Sequence, residues 1–146
     1  MRAVIQRVKH ARVHVDNEVV GKIEAGLLVL LGLGHGDTSK ESAWLASKIA
    51  ALRIFADAQG KMNLSVKELR LGVLVVSQFT LYANCSEGNR PSFTEALPPP
   101  QATPLYQEFL QHMQEALGYE VAQGTFGAKM EIHLIADGPV TILIEA

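Results

Sequence analysis

The sequence predicts an α+β fold in which a curved, barrel-like, largely antiparallel or mixed sheet carries two main helices on one side. Three observations lead there. Segments rich in Val and Ile, with the two-residue alternation of strands, lie at the beginning and end of the chain. Two other segments repeat apolar residues at the spacing of a helix face, and short connections join all of these elements.

From Ala3 to Val15 the chain reads as a strand, with Ala11, Val13 and Val15 alternating with Arg12 and His14. Asp16-Asn17 is a turn, and Val19 to Ile23 is the returning arm of a hairpin. The uninterrupted apolar run Gly26 to Leu33 fits a central strand buried on both faces. It is much shorter than the roughly 18 residues that a bilayer crossing requires. Thr38-Ser39-Lys40-Glu41 carries the capping-box pattern, in which the Thr hydroxyl and Glu carboxylate satisfy free amides at a helix start. Leu45, Ile49 and Leu52 continue at helical spacing with Trp44 beside them, so a helix is expected to cover one sheet face until about Leu52.

Asp57-Ala58-Gln59-Gly60 is a turn, and Leu71 to Tyr82 reads as one strand, apolar until it meets Ser77 and Gln78. Ala83 to Pro100 contains Asn84, Gly88, Asn89, Pro91 and three successive prolines, and reads as a surface loop tethered by Phe93. Thr103-Pro104 predicts the N-cap and first position of the second helix, with Leu105, Phe109, Met113 and Leu117 as its buried stripe and Gly118 as its stop. Met130, Ile132 and Leu134 alternate with Glu131 and His133; Asp137-Gly138-Pro139 interrupts, and Val140 to Ile144 forms a last strand.

With 146 residues, 48% of them hydrophobic, residues 1–146 make one domain with a substantial core. The formal charge of -2 supplies no general pull toward a polyanion, which counts against a protein that coats or slides along nucleic acid. A protein that grips only the end of an RNA touches few phosphates and stays compatible. Arg7 breaks the N-terminal segment before any export signal forms, and Cys85 is the only cysteine, so a cytoplasmic setting with no membrane partner is expected. His10, His14, His35, His112 and His133 are scattered without the spacings of a metal site. Neither a metal nor any other cofactor is expected. Gly32 to Asp37 lacks the endings of the phosphate-binding loops and reads as a tight turn.

Ser77-Gln78-Phe79-Thr80 at a strand end offers two hydroxyls, an amide and backbone donors, a surface able to polarise an ester. Ordinary polar decoration of a strand terminus is the alternative, and Asp137-Gly138-Pro139 alone is equally well a plain turn. The combination says more. Met1 to Val8, Ser77 to Leu81, Gly88-Asn89-Arg90-Pro91-Ser92-Phe93, Phe126 to Met130 and Asp137 to Thr141 occur together in an order and spacing that resembles the D-aminoacyl-tRNA deacylases, the D-tyrosyl-tRNA deacylase family. The resemblance spans essentially the whole chain. Ala136 departs from the family's usual Asn, and Glu87 stands where a basic residue is frequent, which weakens the expectation of an RNA-backbone contact in that loop.

The resemblance implies a homodimeric hydrolase that cleaves the ester between a D-amino acid and the terminal ribose of tRNA without a metal, and that also removes glycine from mischarged tRNA. It places the oxyanion at the backbone amide near Phe79, with Ser77 and Gln78 shaping the pocket. The terminal ribose hydroxyl would assist the attacking water. Thr80 as nucleophile is the rival account, although no His or carboxylate adjoins it in sequence to take its proton. Gly138-Pro139, as a cis peptide from the partner subunit, would exclude L-amino acids. Arg7 would hold that motif, its alternative being a plain surface charge. Phe126 would stack on the terminal adenine and Met130 would line the pocket. A non-enzymatic module binding the RNA end is the competing class, since it needs the same aromatic and loop residues.

Overall fold

The computed structural model describes residues 1–146. Its first three strands, β1 (Arg2–Val15), β2 (Glu18–Ile23) and β3 (Gly26–Gly32), are joined by tight turns, the first of them at Asp16 and Asn17, both with positive φ. Helix α1 (Ser39–Ala51) follows, then the short hairpin strands β4 (Phe55–Ala56) and β5 (Met62–Leu64), and then β6 (Gly72–Ser77). A 3₁₀ turn at Phe79–Tyr82, helix α2 (Pro99–Leu117) and strands β7 (Ala122–Gln123) and β8 (Glu131–Glu145) complete the chain.

The main sheet runs β2-β1-β3-β6-β7, with β8 paired along β1. β1 pairs antiparallel with β2, β3 and β8, whereas β3-β6 and β6-β7 are parallel, so the sheet is mixed. It curls until its ends nearly meet. Gly21 of β2 lies so close to β7 that a Cβ there would stand 2.3 Å from the Gln123 carbonyl oxygen, an approach only glycine allows.

Alternation along the strands divides the apolar residues between two faces. Ala3, Ile5, Leu27, Val29, Leu31, Val73 and Val75 pack with Leu45 and Ile49 of α1 and Tyr106, Phe109 and Met113 of α2. Val8, Ala11, Val13, Leu28, Leu74 and Val76 fill the inside of the curl, joined by Met130 and Ile132. Both helices therefore lie on one side of a nearly closed sheet. Near its N-terminus, the Met1 ammonium pairs with the Asp37 carboxylate and donates to the Ala146 carbonyl oxygen at 3.2 Å.

Several elements differ from the sequence expectation. β6 stops at Ser77 and the chain tightens into the 3₁₀ turn, so Leu71 to Tyr82 is not one strand. α2 begins at Pro99 with Pro98 as N-cap, and Pro104 lies inside it. The first helical amides need no acceptor, so Pro99 and Pro100 are tolerated in the first turn. β7 and the β4-β5 hairpin are too short to show an alternation in sequence. Trp44 is 48% exposed, on the solvent side of α1.

β8 runs through Asp137-Gly138-Pro139 instead of ending there. Gln6 pairs with Thr141 and Val8 with Ala136, so Arg7 alone faces Asp137, Gly138, Pro139 and Val140, which stand out as a bulge.

Candidate functional site

Beyond the carboxyl ends of the parallel strands β3 and β6 the surface opens into a cavity of about 720 Å³. Leu31 and Leu33 of the β3 end, Val76 of β6, and Met130 and Ile132 at the start of β8 give it an apolar base. Ser77, Gln78 and Phe79 form one wall and Phe126, Gly127 and Ala128 another.

The polar wall follows from how β6 ends. Leu31 pairs with Ser77, and the Gln78 amide donates to the Leu31 carbonyl at 2.7 Å, carrying the parallel pairing one residue further. The 3₁₀ turn's own hydrogen bonds start with Leu81 N–H to the Gln78 carbonyl at 3.2 Å, so the amides of Phe79 and Thr80 come before its first donor. Phe79 is 57% exposed and meets Phe93 edge to face, ring centroids 5.1 Å apart. The Thr80 hydroxyl accepts from the Gln78 side-chain amide at 2.5 Å. An amide in either orientation is no base, so this partner does not activate Thr80 as a nucleophile.

Opposite, the Phe126 ring leans on Tyr106, centroids 5.4 Å apart. The Tyr106 hydroxyl donates to the Val75 carbonyl at 3.0 Å under β6, and burial pushes its phenol pKa well above the ordinary 10. Phe126 thus rests on a fixed platform.

The rim is made by residues to which the sequence reading gives no role in the site. The His35 amide donates to the Glu95 carbonyl at 3.4 Å, and Leu97 N–H donates to the Leu33 carbonyl at 2.8 Å. The His35 ring Nε2 lies 3.1 Å from the Thr94 carbonyl oxygen. These bonds fold the proline-rich loop against the end of β3 and bring Phe93, Thr94 and Pro98 to the cavity. Behind it, Asp37 accepts from the Gly34 amide at 2.7 Å and the Tyr82 hydroxyl at 3.4 Å. Burial, with the Asp37 carboxylate beside it, pushes the Tyr82 phenol up to about 12.

Of the residues singled out in sequence, Ser77, Gln78, Phe79, Phe126 and Met130 line this cavity, with Thr80 adjoining. Arg7, Gly138 and Pro139 lie elsewhere. Arg7 Nε donates to the Asp137 carbonyl and pairs with its carboxylate, both at 3.2 Å, while Nη1 donates to the Ile54 carbonyl at 2.5 Å. The Gly138–Pro139 peptide bond is cis, and both residues are exposed. Ile54 follows the end of α1 and His35 precedes its start, and neither Arg7 nor any residue of the bulge is among those that line the cavity. Nowhere do three His, Cys, Asp or Glu side chains converge as a metal-binding set, and no helix is long and apolar enough to cross a membrane.

Comparison with known proteins gives this geometry a family. The chain is similar to a D-aminoacyl-tRNA deacylase of Geobacter metallireducens, 56% identical over 146 residues, covering 100% of this chain and 96% of the relative. A D-aminoacyl-tRNA deacylase of Thermotoga petrophila is 53% identical, covering 100% and 97%. Among solved structures, a c-Myc DNA unwinding element binding protein superposes with a TM-score of 0.93 at 41% identity, covering 100% of this chain and 99% of its own. The family model of the D-Tyr-tRNA(Tyr) deacylases matches residues 4–145. The chain therefore belongs to the D-Tyr-tRNA(Tyr) deacylase family.

Proposed function

We propose that this protein hydrolyses the ester of D-aminoacyl-tRNA, releasing free D-amino acid and tRNA, and that it does so as a cytoplasmic homodimer without a metal. The observation that carries the reading is the cavity, where an apolar base, an aromatic wall and a turn whose first amides precede its internal donors converge. Water attacks the ester carbonyl carbon, its proton passes to the departing ribose oxygen, and the carbon–oxygen bond to the ribose breaks. The amides of Phe79 and Thr80 face the developing oxyanion, and preorganised donors of this kind contribute about 10²–10³ in rate. Ser77 and Gln78 shape the wall around the aminoacyl group, Met130 lines the base and Phe126 stacks on the terminal adenine. Such stacking is worth roughly 1–3 kcal/mol and suits a protein of net charge -2 that reads an RNA end.

Gly138-Pro139 acts as the stereochemical gate of the partner's cavity. Two observations favour this reading: Gly138 and Pro139 do not line the chain's own cavity, and the bulge projects from an edge strand bearing Ile135 (49% exposed) and Leu143 (63% exposed). Arg7 orients it through Asp137 and Ile54. Glycine, with no side chain to exclude, passes the same gate.

Substrate assistance by the terminal ribose hydroxyl is favoured over a Thr80 nucleophile because Thr80 is paired to an amide. Hydrolysis of D-aminoacyl-tRNA by Thr80→Ala should stay within about tenfold of the unmodified enzyme, an ordinary cost for one lost pocket hydrogen bond. A terminal 2′-deoxy tRNA charged on its 3′ hydroxyl should be hydrolysed poorly. A trapped covalent aminoacyl-enzyme together with a dead Thr80→Ala would reverse the assignment.

Binding of an RNA end without catalysis is the second reading; one structurally similar protein is named for binding nucleic acid, a DNA unwinding element. Release of free D-amino acid from charged tRNA separates the two.

A further inference from the structure

The bulge of β8 is held from β1 by two neighbouring side chains, and successive residues of a strand point to opposite faces of a sheet. Arg7 is on the helix side, where it reaches the Ile54 carbonyl and lies 6.0 Å from the Phe55 ring centroid. It grips Asp137, the residue before Gly138. Gln6 is on the other face and grips the residues after Pro139. Its Nε2 donates to the Val140 carbonyl at 3.2 Å and to the Arg7 carbonyl at 3.1 Å. Its Oε1 accepts from the Thr141 hydroxyl at 2.5 Å.

The Gln6–Thr141 pair is also the last ladder position before the bulge begins. The amide tip presents a donor to the two carbonyl oxygens and an acceptor to the hydroxyl at once. A carboxylate of the same length would set a second acceptor against two carbonyl oxygens, and a leucine would leave them without the donor.

We propose that Gln6 is a positioning residue for stereochemical selection: it fixes the Pro139 side of the bulge as Arg7 fixes the Asp137 side, so that Gly138-Pro139 is presented in one orientation. The inference rests on the gate reading given above. Loss of one anchor frees the bulge to swing about the other, which opens space for an L side chain without touching the cavity that performs the hydrolysis.

The test compares kcat/KM for the D- and L-aminoacyl esters of one amino acid on one tRNA, using the full-length protein, its Gln6→Glu and Gln6→Leu variants, and Thr141→Val, with thermal melting alongside. Selectivity for D over L should fall by about tenfold in Gln6→Leu and Gln6→Glu, the effect of losing one to two hydrogen bonds. It should fall less in Thr141→Val, which leaves the Val140 contact in place. A purely structural role lowers D and L hydrolysis together and leaves their ratio unchanged; that result in the folded variants overturns the proposal. Should Gln6→Leu fail to fold, the ratio in Gln6→Glu and Thr141→Val decides in the same way. If the unmodified protein itself hydrolyses D and L esters alike, the gate reading fails and this inference with it. Selective unmodified protein with equally selective variants removes Gln6 alone.

Discussion

Gly138 combines a φ of 122° with close neighbours: a Cβ there would stand 2.9 Å from Val140 Cγ2 and 3.2 Å from Arg7 Nη2. A β-branched side chain has no comfortable conformation at that φ, a strain of about 1–3 kcal/mol, and it would also push on the guanidinium that holds the bulge. Gly138→Val is expected to lower D-aminoacyl-tRNA hydrolysis at least about tenfold while the chain still melts cooperatively. Undiminished turnover would remove the bulge from the mechanism. Single residues were legible in sequence where a motif fixed them: Ser77, Gln78, Phe79, Phe126 and Met130 come together around one cavity. His35 and Phe93 were not legible as site residues. Their place depends on long-range hydrogen bonds, His35 to Glu95 and Leu97 to Leu33, which leave no local pattern.

Helix α1 starts where its capping box says it should. The Thr38 hydroxyl accepts from Lys40 N–H at 3.2 Å, and the Glu41 carboxylate accepts from Thr38 N–H at 2.9 Å. The Thr38 hydroxyl, with the local backbone amides, holds the Glu41 carboxyl below its ordinary 4.5. Because the folded value is the lower one, the stability it lends is present above pH 4.5 and is lost as pH falls through the folded value. Thr38→Ala should cost about 1 kcal/mol at neutral pH, or roughly 2–4 °C in Tm, with the gap narrowing well below pH 4.5. A gap that is constant with pH would mean that the carboxylate takes no part in the cap. α2 was harder to read. Prolines 98–100 resemble a helix-breaking loop, yet the first turn of a helix requires no donors, so they form its start. β8 hides its continuity in the same way, because a bulge interrupts the alternation while the pairing with β1 resumes beyond it.

A curved, antiparallel or mixed sheet with two helices on one side was legible from element order, periodicity and short connections, whereas the strand order was not. What periodicity cannot show is how far apart two motifs end up. Leu134, Ile135 and Leu143 remain 38%, 49% and 63% exposed along β8, an apolar edge that a second copy would cover. Specific activity should therefore fall on dilution in step with the dimer fraction measured by sedimentation; activity independent of the dimer fraction would end the shared-site reading. On the proposal that a chain's bulge gates its partner's cavity, the absence of Gly138 and Pro139 from the chain's own cavity also sets a counting rule for mixed populations. In a dimer of one sound chain and one with a faulty bulge, the faulty chain's cavity would be served by its sound neighbour, while the sound chain's cavity would be left unguarded. Each faulty bulge would thus leave one cavity unguarded and no more, whichever partner it meets. Cleavage of L-aminoacyl esters would then rise in proportion to the fraction of altered copies.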